Sequence, residues 1–126
     1  MIECEFLKQN LLVETYSGKV NVDDIIILKE YEFAHEKYKN GIKIIADLRS
    51  AEFSFNSGES FKLKEFFDAN YKKMIKTKIA FLTDEIKKDS YTIFMKTLDE
   101  VNDGIKIKLF TDVKEANIWL AEKEDT

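Results

Sequence analysis

IKIIADLRSAEFSFNSG, residues 42–58, is the stretch on which the fold turns. Residues 42–48 are apolar apart from Lys43 and Asp47, the pattern of a central strand covered on both faces. An extended loop follows, and Asn56, Ser57 and Gly58 open a helix. In a parallel α/β sheet, functional groups gather where strands end and helices begin. That places interest on Asp47 and Leu48 at the strand end and on the loop beyond them.

Two more apolar runs, Lys78–Leu82 and residues 105–110, are each preceded and followed by a helical pattern. Leu63, Phe66, Phe67, Tyr71 and Met74 form one stripe, Tyr91, Phe94, Leu98 and Val101 a second, and Val113, Ala116, Trp119 and Leu120 a third. These stripes read as core, and Trp119 is expected to be largely buried. Upstream, Ile2–Leu7 and residues 11–16 are short strand-like runs split by Lys8, Gln9 and Asn10, the spacing of an antiparallel hairpin. Gly18 closes the second run. Asn21, then Asp23 and Asp24, signal a helix start, with a capping side chain and acids at the positive end of the helix dipole. That helix is expected to reach about Lys39, with Ile27, Leu28, Tyr31, Ala34 and Tyr38 on its apolar face and a stop at Asn40 and Gly41.

The order is β-β-α-β-α-β-α-β-α. It predicts an α/β fold with a single-layer, mainly parallel five-stranded sheet, an antiparallel hairpin at one edge and four helices on its two faces. At 126 residues, with 44% hydrophobic and 35% charged residues, the chain fits one domain, 1–126, whose acidic tail, 121–126, is expected to fray. A net charge of −4 argues against a nucleic-acid partner, which a basic surface would serve. No apolar run is long enough for a membrane span or a signal peptide, so a cytoplasmic location is expected.

The element order resembles that of the STAS domain, the fold of bacterial anti-sigma-factor antagonists and their SpoIIAA-like relatives. The likeness covers nearly the whole chain and is sharpest over residues 47–58. There Asp47, Leu48, Phe53, Ser57 and Gly58 agree in type with the antagonists' stretch from an Asp-Leu, through a Phe, to an Asp-Ser-Ser-Gly helix start. Ala116, Trp119 and Leu120 are similar to the ending of SpoIIAA-like chains. The antagonists' regulatory phosphoserine falls on Asn56, which cannot accept a phosphoryl group, and the acid before it falls on Phe55. Ser57 remains next door, and it reads as the cap of the following helix rather than as a phosphoacceptor.

What the resemblance implies is a non-catalytic regulatory or protein-interaction module without the phosphorylatable serine. Arg49, Asn56, Ser57, Gly58 and Glu59 form its candidate partner-binding or anion-binding corner. Arg49 follows the expected strand end and would sit near a helix N-terminus, or else pair with Glu52 or Glu59. SpoIIAA-like chains are also related to lipid-binding domains of the Sec14 type, so a carrier of a small apolar ligand is the alternative, and a cavity lined by phenylalanines would favour it.

Enzyme activity ranks last, since no catalytic set stands out. Asp47, Thr83, Asp84, Thr111 and Asp112 lie near strand ends. A phosphoacceptor site of the response-regulator kind would further need an acidic pair after the first strand and a lysine after the last. Thr83, Asp84 and Asp112 read as caps, with Glu115 completing a capping box. Cys4 alternates with Glu3 and Glu5 on the apolar side of a strand and reads as a small hydrophobe. His35, with no second histidine and no suitably spaced cysteine, reads as a half-buried structural residue. Neither a metal nor a cofactor is expected.

Overall fold

The computed structural model describes residues 1–84, 96 and 105–122. Five strands form one sheet in the order β1-β2-β3-β4-β5: β1 Ile2–Leu7, β2 Leu11–Val20, β3 Lys43–Phe53, β4 Lys78–Leu82 and β5 Lys106–Phe110. β1 is antiparallel to β2, and every later pair is parallel, so the Ile42 run is central as expected. The hairpin turns through Gln9 and Asn10, both at φ 62°. Asn10 suits that left-handed geometry, and its Nδ2 donates to the Gly41 carbonyl at 3.0 Å, tying the hairpin to the start of β3.

Three α-helices lie among the described residues: α1 Val22–Ala34, α2 Ser57–Ala69 and α3 Val113–Ala121. The fourth expected helix, carrying Tyr91, Phe94, Leu98 and Val101, lies outside them apart from Lys96, which is helical, and tail residues 123–126 lie outside them too. α1 and α2 cover one face, where Ile25, Leu28, Leu63 and Phe67 pack on Leu12, Tyr16, Ile44, Ala46, Leu48 and Phe81. α3 covers the other, where Ala116 and Leu120 meet Ile45, Ala80, Leu82 and Phe110. Asn21 is the expected cap, and Asp24 completes a capping box with it: the Asp24 N–H donates to Asn21 Oδ1 at 2.9 Å and the Asn21 N–H to Asp24 Oδ2 at 3.1 Å.

Several boundaries differ from the sequence reading, each for a local reason. β2 runs through Gly18 to Val20, because Gly18 adopts φ +67° without ending the ladder. β3 runs to Phe53, so Asp47 is not at its end and residues 49–53 are strand rather than loop. Ser17 to Val20 supply the pairing partners that make this possible.

α1 stops at Ala34 because His35 is extended. The His35 ring stacks on Phe6 at 4.1 Å between centroids, and its Nδ1 accepts from the Lys37 N–H. The buried side of α1 is Val22, Ile25, Leu28, Lys29 and Glu32, a face rotated from the expected one, and Ile27, Tyr31 and Ala34 are exposed.

Tyr71 and Val113, expected in the stripes, are exposed too. Tyr71 has left the helix for a 3₁₀ turn, Tyr71–Lys73. Trp119 is half-buried rather than largely buried. Its ring lies against Phe110 at 5.6 Å and under the Lys78 ammonium at 4.5 Å, at the margin of the α3 contact.

Candidate functional site

The corner expected to bind a partner is built by an irregularity in β3. Thr15 pairs with Asp47 and Ser17 with Ser50, so Leu48 and Arg49 together oppose Tyr16. This is a β-bulge, which bends the strand and re-aims a side chain. Leu48 stays in the core, Arg49 turns out to solvent, and Ala51 and Phe53 return to the buried face. β4 ends at Leu82, opposite Asp47, so beyond that point β3 pairs with β2 alone. The bulge therefore stands where β3 overhangs its neighbour.

Arg49 pairs with Asp47, not with Glu52 or Glu59 as the sequence suggested. Nε donates to Oδ1 at 3.0 Å and Nη2 to Oδ2 at 2.9 Å, a two-point grip, while the Arg49 N–H adds a third bond to Oδ1 at 3.1 Å. Partial burial pushes the Asp47 carboxyl up, but these bonds outweigh it and hold the group below its ordinary value. With 46% of its side chain exposed, Arg49 presents an oriented guanidinium rather than a mobile one.

The helix start departs from expectation by one residue. Asn56, not Ser57, is the cap of α2, its Oδ1 accepting the Glu59 N–H at 2.8 Å while Ser60 Oγ donates to the Asn56 carbonyl at 3.1 Å. Ser57 and Gly58 occupy the first helical turn and are exposed, with Glu59 as the acid of that turn. At the end of β5, Asp112 caps α3 by accepting the Lys114 N–H at 2.9 Å. Thr83 Oγ1 donates to the Asp84 carbonyl at 2.9 Å, and the helix that Thr83 and Asp84 were expected to cap lies outside the described residues.

A second polar constellation was not foreseen. Glu14 of β2 and Lys29 and Glu32 of α1 are all buried, and Lys29 Nζ donates to Glu14 Oε2 at 2.6 Å and to Glu32 Oε1 at 3.0 Å. Tyr16 Oη donates to Glu14 Oε1 at 2.8 Å. Two carboxyls thus share one ammonium, and they ionise unequally. Burial first, and the Glu14 charge second, push Glu32 up to about 9. For Glu14, burial alone would act the same way, but the Lys29 charge and the converging hydrogen bonds reverse it. Burial and these two carboxyls also push the Cys4 thiol up to about 11, so the sulfur stays protonated at neutral pH, as a small hydrophobe would.

The comparisons with known proteins bear on the scaffold. No family model matches the chain, and no curated protein does. Among solved structures it is similar to an uncharacterized protein of the DUF3478 family from Shewanella loihica PV-4, described as having a SpoIIAA-like fold. The TM-score is 0.62 at 17% identity, over 96% of this chain and 93% of that one. The fold is SpoIIAA-like. At that identity the likeness speaks for architecture alone.

Asn56, the position on which the resemblance to the antagonists would put their regulated serine, is a capping asparagine. Sequence spacing placed that cap on Ser57, because Ser before Gly and Glu is a good cap pattern; Asn56 competes with an equally good side chain one position earlier. The bulge under Arg49 left no mark in composition, whereas the buried triad did. Leu12, Glu14 and Tyr16 share one strand face by parity, so Glu14 points inward and demands a buried cation.

The carrier alternative asked for a phenylalanine-lined cavity. Two surface hollows, of about 660 and 250 Å³, are lined mainly by other residues, Phe6 being the one phenylalanine in either. Among the described residues, Phe33 stacks on Phe66, Phe66 meets Phe67 edge to face, and Phe53 packs on Phe55 and Tyr16. Phe67 and Tyr16 lie in the core, and the other rings pack against it half-buried. No group of three or more metal-ligating side chains occurs among the described residues, and no described helix is long and apolar enough to cross a membrane.

Proposed function

We propose that this chain is a non-catalytic interaction module that meets a protein partner at the corner formed by Arg49, Ser57, Gly58 and Glu59, with Asn56 as the cap that sets the helix opening. The observation that carries the reading is the pairing of an oriented, exposed guanidinium on a bulge with an exposed helix start on the same stretch of chain. Bulges that re-aim side chains and loops next to helix openings are common recognition devices. The SpoIIAA-like fold supports the reading, since the antagonists it is named for act by binding proteins. With Asn56 at the regulated position, partner binding at this corner runs without a phosphoswitch.

The test is affinity capture from the protein's own host with matched variants. Arg49→Ala and Glu59→Ala should each reduce the retained partner several-fold while the melting temperature stays within about 2 °C of wild type, as expected of side chains outside the core. Ser57→Ala should retain the partner. Stoichiometric phosphate on Ser57 in protein from the host, together with loss of the partner in Ser57→Glu, would instead establish a switch and overturn the proposal.

A further inference from the structure

β1 is the first strand of the sheet and pairs with β2 on one side only, so half of its backbone N–H and C=O groups face outward. α1 does not close that edge. Its buried side turns toward Glu14 and the sheet, leaving Ile27 and Tyr31 at 66% and 59% exposure. Between strand and helix runs a groove of about 660 Å³, with Ile2, Cys4, Ile27 and Tyr31 among its apolar walls. Glu3 and Asp24 are the charged residues that border it, and among the described residues no lysine or arginine does.

β1 also alternates cleanly. Ile2, Cys4 and Phe6 pack toward the α1 side, while Glu3 and Glu5 are exposed on the opposite face.

We infer that this edge is a strand-addition site for a protein partner, accepting an extended segment in which lysines alternate with apolar residues. Laid beside β1, such a segment continues the sheet through its backbone. Its apolar side chains enter the groove beside Ile2, Cys4, Ile27 and Tyr31, and its lysines stand on the other face opposite Glu3 and Glu5. The charges decide the partner's chemistry, since like charges directly opposite are destabilising. Two copies of β1 would bring glutamate against glutamate, and an acidic segment would fare no better. Acids on an edge blunt indiscriminate pairing, yet they leave that edge selective for the opposite sign. This site is separate from the Arg49 corner, and its test does not depend on it.

The probes are two fluorescent hexapeptides, one alternating lysine with valine and the other glutamate with valine, titrated by anisotropy, with hydrogen exchange locating the contact. The lysine peptide should bind and slow exchange at the amides of Ile2–Leu7, and the glutamate peptide should not bind. Reversing both acids, Glu3→Lys with Glu5→Lys, should weaken the lysine peptide about tenfold or more and create binding of the glutamate peptide. Ile27→Ser, which leaves β1 intact, should also weaken the lysine peptide. Three results would overturn the inference. One is equal binding of the lysine peptide to wild type and the reversed variant. Another is protection at β5 or α2 instead of β1. The third is self-association of the wild type abolished by Lys106→Glu with Lys108→Glu, which would assign the edge to a second copy, since those lysines are exposed on β5.

Discussion

Asn56 and Ser57 show how much one residue of offset matters at a helix start. Either side chain satisfies the sequence rule for a cap, but only the one in extended backbone immediately before the first turn can turn its oxygen back onto the N–H three residues on. Asn56 has that conformation, at φ −96° and ψ 177°. Asn56→Ala should therefore lower the unfolding free energy by about 1 kcal/mol, and Ser57→Ala should change it by less than about 0.5 kcal/mol. Urea titrations of the two variants side by side decide this, and the reverse ranking would return the cap to Ser57. Arg49 carries the same lesson. Its position beyond Asp47 was legible, but its partner was not, because the bulge that turns both side chains to one place arises from pairing with β2, which no local pattern encodes.

Among the elements, those with a strong period or a strong cap were legible and those between two signals were not. β1, β4 and β5 read correctly because each is a short apolar or alternating run. α1 was misphased because Ile25, Ile26, Ile27 and Leu28 are apolar in succession, which gives no face by periodicity. The sheet chose the face, and the Glu14 side chain waiting there selected Lys29.

α3 is a milder case, docked by Ala116 and Leu120 with Trp119 at the margin. Lys78 explains how a lysine can sit buried at the start of β4. Its Nζ donates to the Trp119 carbonyl at 2.7 Å and its charge lies over the indole ring, so its ammonium is paired even where its stem is enclosed. Trp119→Ala should cost about 2 kcal/mol, between an exposed residue and a fully buried aromatic, because it removes half-buried area and the cation–π contact while leaving the backbone carbonyl in place. A loss below about 0.5 kcal/mol in a denaturant titration would show that α3 docks without the indole.

At the scale of the whole molecule, the Glu14, Lys29 and Glu32 triad makes stability depend on pH in a direction opposite to that of an ordinary paired carboxylate. Glu32, with an ordinary value of 4.5 and a folded value of about 9, keeps its proton in the folded protein over a range where the unfolded chain has released it. Between those values the folded state binds the extra proton, so this group's contribution falls as pH rises through the window and has no slope below it. Glu14 is lowered, so its contribution is present above its ordinary 4.5 and is lost as pH falls through the folded value. Lys29 is raised, so its contribution is present below its ordinary 10.5 and fades as pH rises through the folded value, above the window.

The neighbouring Cys4 and Tyr38, pushed up by burial to about 11 and about 12, also titrate above it. Glu32 thus dominates the triad's behaviour between about pH 5 and about pH 9. Glu32→Gln keeps an acceptor for Lys29 and removes the titration. It should flatten the decline of the urea midpoint across that interval, leaving the variant near wild type at the acid end and more stable at the alkaline end. Lys29→Met supplies the converse, since it strands the buried Glu14 carboxylate and should cost about 3 to 5 kcal/mol at neutral pH, with recovery on acidification as Glu14 becomes protonated. Parallel midpoint profiles for wild type and Glu32→Gln would mean that Glu32 is ionised in the folded protein, and the unequal ionisation of the two carboxyls on Lys29 would fail with it.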